Sequence, residues 1–177
     1  DDFGGKTATI QTGTPNGTVI WFKLLIKHPN ANTVTITDTL PKGLKYMDFT
    51  AATPGAEKWN WQDSYYVGTT KNDSDGKSKF VEQWACTSKP NTDVFKLESS
   101  TNGNGQQVLT FTLSGLDKKG LTNVDASIIY GVIVEDGYWK DIRNDPSKKY
   151  TNKAEMTGVK PAEATATVTR TNFETQK

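Results

Sequence analysis

Apolar residues along this chain recur with a period of two. Residues 33–40 alternate strictly, with four threonines on one side and Val34, Ile36, Asp38 and Leu40 on the other. That is the pattern of a strand with one buried face. Residues 107–113 gather Leu109, Phe111 and Leu113 on one side, and residues 164–169 alternate again near the end. Between these, Tyr150, Asn152, Ala154 and Met156 share a face, while Thr151, Lys153 and Glu155 share the other. Two runs, residues 19–26 and 128–134, are apolar on both faces and are expected as central strands covered on each side. Turn-forming clusters separate the runs: Thr14-Pro15-Asn16-Gly17, Pro41-Lys42-Gly43, Asp75-Gly76, Asn102-Gly103-Asn104-Gly105 and Asp136-Gly137.

No segment holds a 3.6-residue apolar period for three turns; the best helical candidate is a single turn at residues 116–120. Many short strands with turns between them predict an all-β fold, an immunoglobulin-like sandwich of two sheets. Residues 53–105 differ in composition. They are polar and rich in Asn, Asp, Ser and Lys, yet carry Trp59, Trp61, Tyr65, Tyr66, Phe80 and Trp84. This stretch is expected as strands interrupted by long loops, inserted between the two halves of the sandwich. The 177 residues are read as one domain, 1–177, with 1–5 and 171–177 as linker stubs of a longer chain.

Composition narrows the partners. Lys plus Arg number 21 against 20 for Asp plus Glu, a net charge of +1 with the basic residues spread singly. Phosphate binding needs a concentrated basic face, so nucleic acid is not an expected partner. No apolar run approaches the roughly 20 residues that span a bilayer, so no membrane insertion is expected. A single cysteine, Cys86, allows no disulfide within the chain, and a single histidine, His28, provides no histidine metal cluster. Asp73-Ser74-Asp75-Gly76 lacks the first acidic ligand and the closing glutamate of a calcium loop. No metal and no cofactor are expected.

Asp38-Thr39-Leu40-Pro41-Lys42-Gly43-Leu44-Lys45-Tyr46 resembles the pattern D-x-L-P-x-G-L-x-Y of bacterial surface-protein repeats and isopeptide-forming pilin domains. Tyr150-Thr151-Asn152-Lys153-Ala154-Glu155 resembles the last-strand N-x-A signature of the same group. Phe3-Gly4-Gly5-Lys6-Thr7, Trp21-Phe22 and Ile36-Thr37-Asp38, in that order, resemble the collagen-adhesin domain of Gram-positive bacteria. The likeness covers the first fifty residues and the last thirty. It implies an immunoglobulin-like sandwich of the DEv-IgG type in a cell-wall-anchored, extracellular adhesin or pilus protein, with neighbouring domains of that protein as partners. It further implies a covalent bond from a first-strand lysine to a last-strand asparagine, with an acidic residue as proton shuttle. Carried over by position, the cross-linked pair is Lys6 and Asn152, and the catalytic acid is Asp38.

The chemistry suits those residue types. An amine attacks a side-chain amide and ammonia leaves. A protonated lysine, near its reference pKa of ~10.4, is a poor nucleophile. Burial disfavours ammonium and carboxylate alike, so a buried Lys and Asp can settle as a neutral pair. The carboxylic acid then polarises the amide and relays a proton to the leaving nitrogen, while fixed neighbours supply proximity. The alternation puts Asp38 and Asn152 on inward faces, where each is costly without a partner, and Lys6 alternates with Ala8 and Ile10. Lys23 is the alternative nucleophile, since it interrupts an apolar run and shares a face with Val19, Trp21 and Leu25. Such a protein is no enzyme toward other molecules; the reaction occurs once, within the chain.

Two other readings stand beside this one. Trp59, Trp61, Tyr65, Tyr66 and Trp84 offer aromatic faces suited to a collagen-like matrix protein or a glycan, or they form a small core beneath long loops. A plain surface-repeat module without a cross-link is the third.

Overall fold

The computed structural model describes residues 2–14, 17–27, 32–47, 63–72, 74, 78–117, 120, 124–135, 149–157 and 162–169. Eleven strands run through them: β1 (Asp2–Thr14), β2 (Gly17–Lys27), β3 (Val34–Thr39), β4 (Leu44–Tyr46), β5 (Tyr65–Asn72), β6 (Ser78–Cys86), β7 (Phe95–Thr101), β8 (Gln107–Leu113), β9 (Ala126–Val134), β10 (Lys149–Thr157) and β11 (Ala162–Thr169). They form two antiparallel sheets. The first has the order β1-β2-β9-β5-β6, with β4 also paired to β9; the second has the order β11-β10-β3-β8-β7. The all-β sandwich expected from alternation is the observed architecture.

The core lies between the sheets. Phe22, Leu24, Ile26, Ile128, Tyr130 and Val132 face it from the first sheet, and Val34, Ile36, Leu109, Phe111, Ala154 and Met156 from the second. Aromatic rings cross the interface: Phe111 and Tyr130 lie 4.9 Å apart, as do Tyr65 and Phe95, separations at which tilted rings attract. The two runs that are apolar on both faces are β2 and β9, each flanked by strands on both sides.

Of the two expected linker stubs, residues 2–5 belong to β1: Asp2, Phe3 and Gly5 pair with Lys27, Ile26 and Leu25 of β2, with a register shift between Phe3 and Gly5. Glycine tolerates the irregular backbone of such a bulge, so Gly4-Gly5 bends the strand instead of ending it. Residues 171–177 lie outside the described residues. The strands expected in the middle stretch are β5, β6 and β7, and they join the sheets of the sandwich: β5 pairs with β9, β6 with β5, and β7 with β8. The polar composition of the stretch comes from edge position. Lys79, Val81, Glu82 and Gln83 of β6 are exposed, as are Lys96, Glu98, Ser99 and Ser100 of β7.

The Pro41-Lys42-Gly43 turn carries the chain from one sheet to the other, because β3 belongs to the second sheet and β4 to the first. The Leu44 amide donates to the Pro41 carbonyl at 3.2 Å, and Gly43 has φ 95°, a left-handed value that glycine alone adopts freely. A Cβ on Gly43 would stand 2.9 Å from Cε1 of Tyr150. The leucines and tyrosine of the same motif are structural: Leu40, Leu44 and Tyr46 are buried, and the Tyr46 hydroxyl shares a 2.9 Å hydrogen bond with Ser64. At residues 116–120, the Gly120 amide donates to the Asp117 carbonyl at 3.3 Å with Gly120 at φ 68°.

Candidate functional site

Alternation on β3 and β10 turns a carboxyl and an amide into the core. Asp38 follows Val34 and Ile36 on the buried face of β3. Asn152 sits between buried Tyr150 and Ala154, while Thr151, Lys153 and Glu155 are exposed. Lys153 and Glu155 pair at 3.2 Å on that outer side. The strands are neighbours, and the register sets Asp38 opposite Ala154, which makes Asn152 its diagonal neighbour on the same face. The Asn152 amide nitrogen, Nδ2, donates to Asp38 Oδ2 at 3.4 Å.

A third polar group reaches in from the other sheet. Tyr130 on β9 aligns with Phe22 of β2 and Tyr65 of β5. Its hydroxyl donates a short hydrogen bond to Asp38 Oδ2 and stands 3.4 Å from Asn152 Nδ2. Asp38, Tyr130 and Asn152 each have 0% exposed surface. The surroundings are apolar: the Tyr130 ring packs on Phe22 at 5.7 Å and on Phe111 at 4.9 Å. Burial is the main cause that holds the Tyr130 hydroxyl well above its ordinary pKa, with the neighbouring Asp38 charge and the hydrogen bond to it adding in the same direction. The tyrosine is therefore a proton donor at every ordinary pH. Asn152 Oδ1, in contrast, has no hydrogen-bond partner among the described residues. An orphaned buried carbonyl costs roughly 1–3 kcal/mol, and a catalytic role is one of the explanations for such an atom.

Lys6 lies in β1 opposite Leu24. That row continues through Ile128 to Val67, and all three partners are fully buried. Lys23 occupies the alternate row, Thr7–Lys23–Ile129–Tyr66, whose members are exposed or half-buried. It lies on the outer face of the first sheet, and partial burial there lowers its amine pKa. The fold thus brings Asp38 and Asn152 together and sets Lys23 on the far side of a sheet from both. Strand parity decides this: a run that is apolar on both faces gives no sequence signal of which face is inner.

The aromatic candidates separate. Tyr65 is a buried core residue, its ring tilted against Phe95. Tyr66, next along β5, takes the outer face, 6.4 Å from Trp21. Trp84 packs against the core with its indole Nε1–H donating to Thr69 Oγ1 at 2.8 Å. Trp59 and Trp61 lie outside the described residues. Tyr130 was not among the sequence candidates, although it carries the only hydroxyl in residues 128–134 and alternates with Ile128 and Val132. A buried phenol needs a partner, and that was the available signal.

No protein-family model matches the sequence, and no curated protein matches it. Among solved structures, the chain is similar to ACE19, the collagen-binding subdomain of the Enterococcus faecalis surface protein ACE. The identity is 10% and the TM-score 0.52, over 96% of this chain and 99% of that one. It is also similar to a longer structure of the Enterococcus faecalis protein ACE, which binds its ligands by the collagen hug model. There the identity is again 10% and the TM-score 0.51, over 96% of this chain and 51% of that one, so this chain spans about half its length. The shared feature is the fold, a two-sheet sandwich.

Proposed function

We propose that the chain is a structural and adhesive domain of a bacterial cell-surface adhesin or pilus protein, stapled by a Lys6–Asn152 isopeptide bond that it forms itself. The carrying observation is the meeting of Asp38 and Asn152, far apart in sequence, at 3.4 Å in a site without exposed surface. The row of buried partners beside Lys6 supports that lysine as the nucleophile, because residues paired across strands share a face. Likeness of fold to a collagen-binding subdomain supports the surface role.

In this reading, Asp38 takes the proton that keeps the Lys6 amine inert, and the free amine attacks Cγ of Asn152. The carboxyl then returns a proton to the departing nitrogen. Ammonia leaves, no cofactor takes part, and the domain acts on no external substrate. The fold supplies the proximity that makes the step unimolecular, and apolar burial makes the neutral acid and amine the favoured forms. Intact mass spectrometry tests it. A chain lighter than its sequence by one ammonia carries the bond, and one at its calculated mass does not. Replacing Asp38→Ala restores the full mass; an undiminished deficit in that variant removes Asp38 from the chemistry.

A second reading, favoured by the half-buried Trp21 and Tyr66 on the outer sheet face, adds a matrix ligand such as collagen, or a glycan, bound on that side. Surface plasmon resonance with immobilised collagen decides it. Trp21→Ala loses binding while circular dichroism still reports the folded sandwich if the pair contacts ligand, and equal binding by both chains rejects that role.

A further inference from the structure

Asp38 and Asn152 do not form the buried polar site alone. Tyr130 Oη bonds to Asp38 Oδ2 and stands 3.4 Å from Asn152 Nδ2, the atom that departs as ammonia. We propose that Tyr130 is a second catalytic residue of the cross-linking reaction, a phenol that passes the proton of the Asp38 carboxyl to the leaving nitrogen. The inference rests on the isopeptide reading above and extends it to a residue on the opposite sheet.

Three observations select this role. Tyr130 touches both the acid and the leaving atom: it bonds to Asp38 Oδ2 and stands 3.4 Å from Nδ2, as near as Asp38 Oδ2 itself, each at the long limit of a hydrogen bond. Catalytic hydrogen bonds are commonly long before reaction and tighten in the transition state. Asn152 Oδ1 has no partner among the described residues, so the tyrosine engages the nitrogen end of the amide and not the oxygen where an oxyanion develops. Finally, burial among Phe22 and Phe111 makes a free phenolate costly, which requires the phenol to gain one proton as it gives up another.

The step balances. The Lys6 amine lone pair forms the Nζ–Cγ bond, and the carbonyl electrons move to oxygen. Tyr130 gives its hydroxyl proton to Nδ2 while Asp38 gives its carboxyl proton to Tyr130 Oη. The Cγ–Nδ2 bond breaks with its electron pair on nitrogen, ammonia departs and the carbonyl reforms. The Asp38 carboxylate then takes the surplus proton from Nζ. The phenol ends as it began, one C–N bond replaces another, and no oxidant or co-reactant enters.

The experiment captures the full chain in denaturant before it reacts, refolds it, and follows the loss of ammonia by intact mass against time. Wild type loses one ammonia. Tyr130→Phe, matched to wild type by circular dichroism, loses it at least about a hundredfold more slowly, the usual effect of a positioned acid–base group. Completion at the wild-type rate by folded Tyr130→Phe overturns the relay and leaves the cross-link standing. A wild-type chain that keeps its full mass overturns both. Replacing Tyr130 with 3-fluorotyrosine keeps the volume, so it tests the relay even if the phenylalanine variant does not refold. Its more acidic hydroxyl changes the rate and shifts its pH profile, and a rate and profile equal to wild type reject the relay.

Discussion

At the scale of single residues, the interior of this sandwich is unusual in placing a carboxyl, a phenol and an amide together without exposed surface. The phenol makes stability pH-dependent. Its pKa is raised on folding, so the folded chain holds the proton more tightly than the unfolded one. The contribution is complete below the unfolded value near 10 and declines as pH rises above it. For one proton the slope approaches about 1.4 kcal/mol per pH unit. Urea midpoints measured from neutral pH into the alkaline range should fall more gently above pH ~10 in Tyr130→Phe than in wild type. Parallel curves would show that Tyr130 ionises as freely folded as unfolded.

Elements explain how those residues come to meet. The turn between β3 and β4 crosses from sheet to sheet and rests against Tyr150, two positions before Asn152 on β10. Gly43→Ala should therefore act twice. It forces an L side chain into the left-handed region, at roughly 1–2 kcal/mol, and drives a methyl toward the Tyr150 ring. The expected result is a clear drop in melting temperature together with slower loss of ammonia on refolding, because β10 shifts. Gly68→Ala should be more severe. Its Cβ would stand 2.2 Å from the Glu82 carbonyl, a backbone atom that cannot swing aside, so β5 and β6 should part; faster amide exchange at Thr69 and Thr70 would report it.

Much of this level is legible in the sequence, because a period of two turns directly into an inner and an outer face. Residues 33–40 and 150–156 alternate cleanly, and the inward settings of Asp38 and Asn152 follow from counting. Residues 19–26 do not alternate, so Lys23 could be assigned to the inner row only by guess, and the β1–β2–β9 register sets it outside. The polar composition of β6 and β7 has a related cause: both lie at sheet edges, and edge strands carry charge on the side facing solvent, so the stretch reads as an insertion. Tyr130 was hidden inside an apolar run, where its ring dominated the pattern and its hydroxyl did not.

At the scale of the whole molecule, β1 stands at an edge of the first sheet and β10 lies one strand in from an edge of the second. A bond from Lys6 to Asn152 closes a loop over most of the chain. By chain-entropy reasoning such a closure stabilises by about 5 kcal/mol, which for a domain of this size corresponds to roughly 10–20 °C in melting temperature. Calorimetry of Lys6→Ala against wild type measures it. Equal melting temperatures would mean that no loop is closed.

The placement of β1 and β11 at edges of opposite sheets also determines how the domain responds when tugged by its two ends. With the staple in place, tension enters through residues 2–5, crosses the interior at Lys6 and leaves along β10 and β11, and the chain between residues 6 and 152 carries none of it. An optical-tweezers trace should then show only the short peeling of those end segments, while Lys6→Ala should release the slack of an entire unravelled domain.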